Sequence, residues 1–378
     1  AVLTVILTGL TAITVLNVFT MLRLGRAPHT SDQPRLSVLI PARNEARVIG
    51  ETVRALLGQS YSNFELILLD DNSADGTADI AREAAARDDR LRIINGQPLP
   101  AGWAGKNWAC HQLSQQATGE YLVFTDADVQ WGNGALIALV NDLARTDADM
   151  LTIWSTQRTE TWGERLCVPL MAFVILGYLP HLAVNHIRHR SFAAANGQCL
   201  TFRRSAYDTI GGHAAVRNDI VEDIRMAQIA KDHGLRLRMV DGNRLVTCRM
   251  YTNWPEVRNG YAKNITAGYG DSLVGLFAGS LFHWTVFLFP PVWLIASLLA
   301  GNAQHILYSG LLTAIGVLIR ALTAATTRQR IGDALLLPVS VVLMTIIAAQ
   351  SAYWYLRYGG PRWKGRTIIR RKRSMTHG

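Results

Sequence analysis

The apolar residues of this chain are concentrated in a few long blocks, and this distribution limits its fold more than any other feature. Residues 1–21 contain no charged side chain, and three further apolar blocks lie within residues 271–357. The first block has about the 20 residues that a membrane-spanning helix needs. Residues 23–164, by contrast, have the mixed composition of an α/β domain. We therefore expect an N-terminal transmembrane anchor over residues 1–22 and a C-terminal transmembrane bundle over residues 273–357.

The charged residues beside these blocks predict an orientation. The first block has no basic leading region and no small-residue cleavage site, so we interpret it as an anchor and not as a removed signal. Arg23 and Arg26 follow it directly, and basic flanks concentrate on the cytoplasmic side of membranes. We predict a multi-pass protein of the cell membrane whose α/β domain, residues 33–265, lies in the cytoplasm.

The net charge of +10 does not predict nucleic-acid binding. Eight Lys or Arg residues fall between residues 357 and 373, directly after an apolar block. Such a juxtamembrane cluster is typical of contact with anionic lipid headgroups, and no nucleic-acid-binding motif accompanies it. We expect a basic juxtamembrane tail over residues 358–378, membrane lipids as partners and no nucleic acid.

Residues 162–187 allow two interpretations. The segment is apolar enough to span, but it contains Pro169 and Pro180 and is followed by basic residues. A crossing would place Glu222 and Asp223 on the opposite side of the membrane from Asp126. We therefore favour a helix that lies in the membrane interface.

The block over residues 273–300 is also ambiguous. Three simple crossings after a cytoplasmic domain would leave the basic tail outside, against the positive-inside bias. Pro290 and Pro291 remove two backbone donors in the middle of the block. We prefer a re-entrant segment or broken hairpin there, although this would place Arg320, Arg328 and Arg330 outside.

Between the first two apolar blocks, short apolar runs alternate with stretches of helical periodicity. This alternation predicts a mostly parallel, doubly wound sheet. The predicted strands are Leu36–Ile40, Phe64–Leu69, Leu91–Ile94 and Tyr121–Phe124, and the predicted helices include Ile49–Leu57, Thr77–Ala86 and Asn107–Ala117.

Polar clusters follow three of the predicted strands. They are residues 41–45 after the first strand, 70–73 after the second and 125–128 after the fourth. Ligands of doubly wound sheets bind beyond the carboxyl ends of the strands. The sequence therefore predicts a site at this edge of the sheet.

Asp126 and Asp128 form a D-x-D element at that edge. Both carboxylates can reach one hard divalent cation such as Mg²⁺ or Mn²⁺, which prefers oxygen ligands. A solvated turn is the alternative. Because Glu45 and the pair Asp70 and Asp71 end neighbouring strands, repulsion between uncompensated carboxylates favours a bound cation or ligand.

Two further motifs carry candidate chemistry. The loop Gly102–Lys106 precedes a predicted helix and can offer N–H groups and an ammonium to phosphate oxygens, although it also fits a tight turn with a solvated lysine. It is not a Walker motif. Glu222 and Asp223 open another helical stretch, where a carboxylate can stabilise the helix start, act as a general base, or do both.

The four cysteines have no C-x-x-C spacing and no matching histidine pair. This pattern argues against a zinc site or a disulfide framework. We predict that they are packing residues in a reducing compartment.

Taken in order, these motifs make the chain similar to the family 2 glycosyltransferases of the GT-A fold. The resemblance extends from Leu36 to about Ile265 and rests on the four clusters described above. Within the family, four stretches look most like chlorobactene and related carotenoid glucosyltransferases, and also like hopanoid-associated glycosyltransferases. These stretches are Gly102–Ala109, Ala193–Gln198, Gly211–His213 and Arg249–Tyr251.

The resemblance implies a role for each matching residue. Asp223 would be the general base, with Glu222 as the alternative. On the donor side, Asp71 would bind uracil, Pro41, Arg43 and Glu45 would line the nucleotide pocket, Lys106 would face the diphosphate, Asp126 would contact the sugar or ribose, and Asp128 would bind the metal.

The implied reaction is inverting transfer of a hexose, glucose, from a UDP-sugar to a hydroxyl of a lipid-like acceptor such as a carotenoid, with Mg²⁺ or Mn²⁺. Polyprenyl phosphate or a glycolipid or hopanoid is the alternative acceptor. The Q-x-x-R-W element of processive synthases is matched only loosely by residues 249–254, which favours single-sugar transfer. A transporter or structural membrane protein is the non-enzymatic alternative, but it leaves the strand-end carboxylates unexplained.

Overall fold

The computed structural model describes residues 1–360, 362–363 and 366–367. Apart from the few positions within these ranges, the predicted basic tail lies outside the described residues. The strands are β1 Leu36–Ala42, β2 Phe64–Asp70, β3 Leu91–Asn95, β4 Tyr121–Thr125, β5 Val129–Trp131, β6 Met150–Trp154, β7 Thr156–Gln157, β8 Cys199–Arg203, β9 Leu237–Asp241, β10 Val246–Cys248, β11 Arg362–Trp363 and β12 Arg366–Thr367.

Helices make up most of the remaining structure. They include a π-helical turn over Trp284–Leu288 and 3₁₀ turns over Arg190–Phe192 and Ile331–Leu336. The α-helices are α1 Val2–Thr20, α2 Ile49–Leu57, α3 Thr77–Ala84, α4 Gly105–Gln116, α5 Ala135–Thr146, α6 Trp162–Cys167, α7 Pro169–Tyr178, α8 His181–His186, α9 Arg204–Thr209, α10 Gly212–Ala215, α11 Glu222–Asp232, α12 Trp254–Gly268, α13 Leu273–His283, α14 Phe289–Ala300, α15 Ala303–Thr326 and α16 Leu337–Tyr358.

The α/β domain is built on a seven-stranded sheet in the order β3-β2-β1-β4-β8-β6-β9. Neighbouring strands are parallel except at β8, which runs antiparallel to both β4 and β6. A small second sheet has the order β5-β10-β7. The predicted parallel sheet and its four strands are confirmed, with each strand one or two residues longer at its end.

Alternation along β1 divides the domain core between the two faces of the sheet. Val38 and Ile40 pack in one cluster with the apolar side of α2, whereas Leu39 packs in the other with Leu113 of α4. All of these side chains are fully buried or nearly so. Full burial of such a side chain contributes about 1.5–3 kcal/mol. The central strands are therefore fixed by both faces at once, which holds their carboxyl ends in register.

Four helical segments are long and apolar enough to cross a membrane. They are Val2–Thr20, Leu273–Ala300, Ala303–Thr326 and Ile331–Tyr358. Many of their large apolar side chains are exposed, as expected for surfaces that face lipid. The four cysteines are free and buried, as predicted.

The expected break at Pro290 and Pro291 is wrong. Residues 273–300 form one continuous helical segment of 28 residues. The π-helical turn Trp284–Leu288 comes directly before the prolines, which occupy the first turn of α14. Proline is tolerated at the start of a helix because N–H groups there have no partner within the helix. The wider turn thus lets the helix restart without reversing.

The single helix expected over residues 162–187 is also wrong. The segment forms three short helices, α6, α7 and α8, with Pro169 at the start of α7 and Pro180 capping α8. α7 packs against α1 and α15, and α6 packs against α16. The two prolines divide the segment into short helices, and these helices form a layer between the α/β domain and the apolar helices.

Candidate active site

One cavity of about 1400 Å³ opens where the strand ends predicted a site. The loops after β1, β2 and β4 line it together with the starts of α4 and α11. Every site residue predicted from the sequence lies on its wall: Pro41, Arg43, Glu45, Asp71, Lys106, Asp126, Asp128, Glu222 and Asp223.

The loops after β1 and β2 are tied together by hydrogen bonds. Asn44 has a left-handed backbone (φ 54°), its N–H donates to Ser73 Oγ (2.9 Å), and its Oδ1 accepts from the Ala74 N–H (2.9 Å). Arg43 Nη1 lies 3.2 Å from Asp71 Oδ2. These contacts hold a guanidinium and a carboxylate side by side on the wall of the cavity.

Lys106 lies between the other two acidic clusters. Its Nζ is 2.8 Å from Asp126 Oδ1 and 3.1 Å from Glu222 Oε1, and it donates to the Gly197 carbonyl at 3.1 Å. Burial alone lowers the pKa of Lys106, but the two carboxylates raise it well above its ordinary value. The ammonium is therefore a permanent cation that bridges the end of β4 and the start of α11. In this structure its charge is shared by two acids.

Asp223 is held by two backbone donors. The Gly197 N–H donates to its Oδ2 and the Ile224 N–H to its Oδ1, each at 2.8 Å. Burial and the neighbouring Glu222 carboxylate raise the pKa of Asp223 to about 6, against the opposing effect of these N–H groups and Lys106. An ionised carboxylate with this pKa can accept a proton near neutral pH.

Gly197 lies in close contact with the charged groups at this point. A Cβ there would lie 3.3 Å from Asp223 Oδ2, 3.3 Å from Glu222 Oε1 and 3.4 Å from Lys106 Nζ. An added Cβ would require the two carboxylates to shift by a few tenths of an ångström. The residue thus keeps the two acids and the lysine together.

Asp126 and Asp128 carry the charge that favours a cation. Burial, followed by the Asp126 and Glu45 carboxylates, raises the pKa of Asp128 to about 7. Among the described residues, no group of three or more His, Cys, Asp or Glu is arranged to hold a metal. Two hard carboxylates suit Mg²⁺ or Mn²⁺, which usually bind through one or two protein carboxylates with substrate phosphates and water.

An amide network behind the D-x-D element was not predicted. Gln198 Oε1 accepts from Gln157 Nε2 (2.8 Å), Asn196 Nδ2 (3.2 Å) and the Ser155 hydroxyl. The Gln198 carbonyl accepts from the Asp126 N–H at 3.1 Å. This network fixes the turn before β8 that contacts both Asp126 and Asp223. In the sequence, residues 193–198 contribute only to the family resemblance. Their run of small and amide side chains was the signal that could have predicted this network.

The cavity continues from these charged groups to an apolar wall. Leu170 and Phe173 of α7 and Leu276 of α13 line this part. On α16 the lining residues are Leu337, Val341, Met344, Thr345, Ala348 and Trp354. One cavity therefore joins a charged region on the α/β domain to an apolar region among the helices that are long enough to span a membrane.

Residues 37–211 match the family model described as glycosyl transferase family 2. This domain belongs to that family. The chain therefore contains a family 2 glycosyltransferase domain, whose mostly parallel sheet has the GT-A arrangement predicted from the sequence.

Two curated relatives are 4,4'-diaponeurosporenoate glycosyltransferases. The one from Staphylococcus haemolyticus is 27% identical over 236 residues, which cover 62% of this chain and 61% of that protein. The one from Staphylococcus aureus is 24% identical over 347 residues, covering 88% and 87%.

A solved structure has the same fold. The mannosyltransferase PcManGT from Pyrobaculum calidifontis, in complex with GDP-Man and Mn²⁺, superposes with a TM-score of 0.55 at 19% identity. The match covers 94% of this chain and 99% of that one. The α/β domain and the apolar helices thus both have counterparts in a known glycosyltransferase structure.

Proposed function

We propose that this glycosyltransferase transfers a hexose, glucose, from a UDP-sugar to a hydroxyl of a lipid-like acceptor such as a carotenoid, with inversion. The observation that supports this proposal most directly is the continuous cavity, which is charged beside Asp126 and Asp223 and apolar along α16. A nucleotide-sugar is polar and anionic, whereas an acceptor dissolved in the membrane is apolar. The curated relatives are named as diaponeurosporenoate glycosyltransferases, which supports a carotenoid acceptor.

On the acceptor side, Asp223 is the proposed base. Its carboxylate takes the proton of the acceptor hydroxyl while that oxygen forms a bond to the anomeric carbon. The bond from this carbon to the diphosphate breaks on the opposite face, and its electron pair leaves with the nucleotide. One displacement inverts the anomeric centre. The N–H groups of Gly197 and Ile224 orient the carboxylate for this transfer.

On the donor side, Asp126 and Asp128 would hold Mg²⁺ or Mn²⁺. The cation would neutralise charge on the departing diphosphate. Lys106 is close enough to Asp126 to approach the same phosphates, and its permanent charge would stabilise the leaving group. Arg43 and Asp71 offer donors and acceptors for the nucleotide.

The proposed location is the cell membrane, with the catalytic domain, residues 33–265, on the cytoplasmic side. UDP-sugars are cytoplasmic metabolites, and Arg23 and Arg26 follow α1 directly. The layer formed by α6 to α8 would then rest at the membrane surface.

Purified protein in lipid nanodiscs tests this proposal. It would be supplied with UDP-glucose, UDP-galactose or GDP-mannose and with a hydroxylated or carboxylated carotenoid, a polyprenyl phosphate or a glycolipid, and lipid products would be identified by mass spectrometry. We expect a hexosylated carotenoid from UDP-glucose. If the main product is a hexosylated polyprenyl phosphate, the proposed carotenoid acceptor is wrong. If GDP-mannose is the preferred donor, the proposed UDP-sugar donor is wrong.

A further inference from the structure

We infer that α16 does not cross the membrane but dips into it and returns to the side of the catalytic domain. In this arrangement α1, the α13–α14 segment and α15 cross, and α16 is a re-entrant helix that walls the apolar part of the cavity. Its length and composition alone would equally fit a crossing. The contacts at its two ends and at its middle decide between the two.

The segment that leads into α16 is fastened to the catalytic domain. Arg328 Nη1 lies 2.5 Å from Asp241 Oδ2 at the end of β9, and Gln329 Nε2 donates to the Gln157 carbonyl of β7 at 2.7 Å. Arg165 Nε of α6 donates to Asp333 Oδ2 at 3.0 Å. Residues 328–333 therefore lie on the domain side.

The first turns of α16 are the deepest. Leu337 packs in one cluster with Ile319 of α15 and Phe287 of the π-helical turn, and its Cδ2 comes within 3.9 Å of a Cβ placed on Gly316. Gly316 precedes the end of α15 by ten residues, or about 15 Å at the 1.5 Å rise of a helix. Measured along α15, this distance is about half of the thickness of the roughly 30 Å hydrocarbon layer.

From that point the partners of α16 move back toward the domain. Thr345 Oγ1 accepts from Trp284 Nε1 at 2.8 Å, one helical turn nearer to the domain than Phe287. Ile347 packs with Tyr251 and Tyr261, and Ser351 Oγ lies 2.6 Å from Thr266 Oγ1 of α12. A crossing helix would show the opposite trend, with partners ever farther from the domain.

The far side of the bundle is marked by other contacts. Thr4 Oγ1 near the start of α1 lies 2.8 Å from Tyr308 Oη near the start of α15, and α14 packs along α15 beside the turn at Gly301. At the other end of α1, Asn17 Nδ2 donates to the Leu176 carbonyl of α7 at 2.8 Å. The three crossing helices thus have one end at the domain and one end away from it.

The charge distribution agrees with this topology. If α1, the α13–α14 segment and α15 are the crossings, then Arg23, Arg26, Arg328 and Arg330 all lie on the catalytic side, together with the basic residues after Arg357. With four crossings, the cluster after Arg357 would lie on the opposite side. Only the re-entrant arrangement places every basic flank on one side, as the positive-inside bias favours.

The two faces of α16 explain why it is so apolar. Val339, Val342 and Ile346 are exposed, whereas Val341, Met344 and Ala348 line the cavity. One face can therefore contact lipid while the other contacts a bound hydrocarbon chain. If the proposed function holds, the acceptor reaches the site from the leaflet beside the catalytic domain, without passing to the other leaflet.

Cysteine labelling of the full-length protein tests the topology. The native cysteines are buried, so a single exposed cysteine would be introduced as Arg357→Cys, as Arg82→Cys on the catalytic domain, or as Gln304→Cys beside the far turn. Sealed inside-out and right-side-out vesicles would be treated with a membrane-impermeant maleimide, and labelling after detergent permeabilisation would give the total. Tyr358→Cys is the substitute if the first variant does not accumulate.

We expect Arg357→Cys to react in the same vesicle orientation as Arg82→Cys, and Gln304→Cys to react in the other. If Arg357→Cys and Tyr358→Cys react together with Gln304→Cys, α16 crosses and the inference is wrong. Labelling needs no acceptor or donor, so failure of the proposed sugar transfer would leave this result unchanged. Conversely, a crossing α16 would not affect the product analysis.

Discussion

Replacement of Asp223 by Asn probes the proposed base with almost no change in shape. The amide cannot take the acceptor proton, and loss of an acid–base group lowers the rate by about 10²- to 10⁴-fold. The kcat should fall by this amount, while the Kd for UDP changes far less, because Asp223 acts on the donor side only through the charge of Lys106. In the unsubstituted enzyme, the rate should rise with pH up to about 6, where the pKa of Asp223 lies, and level off above it.

The same substitution has two opposing effects on stability. The pKa of Asp223 is raised from 3.8 to about 6, so the ionised carboxyl costs the folded state up to about 3 kcal/mol at about 1.36 kcal/mol per pKa unit. Because the folded pKa is the higher one, this cost appears as pH rises above 3.8, is complete above about 6 and is absent in Asn. The Asn variant therefore gains stability by losing this ionisation cost. It also loses stability, because one of the two N–H groups that donate to Asp223 would face an amide NH₂ and lose its acceptor, at a cost of about 1–3 kcal/mol.

The two effects are of similar size, so the Asp223→Asn variant should melt within a few degrees of the original protein. Turnover by mass spectrometry, UDP binding by calorimetry and thermal melting in the same detergent give the three quantities. Glu222→Gln is the matched control. If it abolishes transfer while Asp223→Asn keeps near-normal turnover, then Glu222 is the base and the argument from the two N–H bonds is refuted.

Three further outcomes follow from the same geometry. Lys106→Met should weaken UDP binding by about 1.5 kcal/mol, the low end for a hydrogen bond to a charged group, and leave uridine binding unchanged in calorimetry; equal losses would indicate a structural role. Chelation should abolish transfer, and Mn²⁺ or Mg²⁺ should restore it in the original enzyme but not in Asp128→Ala; full activity of that variant in excess chelator would exclude the metal role. Gly197→Ala should lower kcat by about tenfold, because its Cβ would lie 3.3 Å from the Asp223 and Glu222 carboxylates. This loss is smaller than the roughly 100-fold cost of a 1 Å misplacement of a reacting group. An unchanged kcat would show that the cluster adjusts freely.

The sequence predicted the first half of the fold well because that half is local. Strands β1 to β4 are short apolar runs separated by amphipathic helices, and each pairs with a neighbour through a standard parallel crossover. β8 gave no such signal, because it pairs antiparallel between β4 and β6 across long sequence separations. Its place depends on tertiary packing, which periodicity does not report.

For the apolar segments, composition predicted their existence but not their course. Pro290 and Pro291 removed backbone donors as expected, yet the π-helical turn before them let the helix continue. Hydropathy cannot separate a helix that crosses from one that turns back, since both face lipid. The ion pairs of Arg328 and Arg165 carried that information, and each joins residues far apart in the sequence.

All predicted site residues line the cavity because each follows the carboxyl end of a strand or opens a helix at the same edge of the sheet. The sequence did not predict how they pair. Lys106 was expected to face the diphosphate, but in this structure it links Asp126 to Glu222. That pairing depends on Gly197, whose missing side chain allows three charged groups to approach one point.

The position of Lys106 makes the donor and acceptor sides of the cavity electrostatically dependent on each other. One ammonium lies within 3.1 Å of both Asp126 and Glu222, and it lowers the pKa of Asp223 without touching it. Any anionic ligand that draws this ammonium toward the donor side removes positive charge from the surroundings of Asp223, and the pKa of Asp223 rises, because its repulsion by the neighbouring Glu222 carboxylate is then less compensated. A carboxyl with a higher pKa is a stronger base. The geometry therefore couples occupation of the donor side to basicity on the acceptor side through a single side chain.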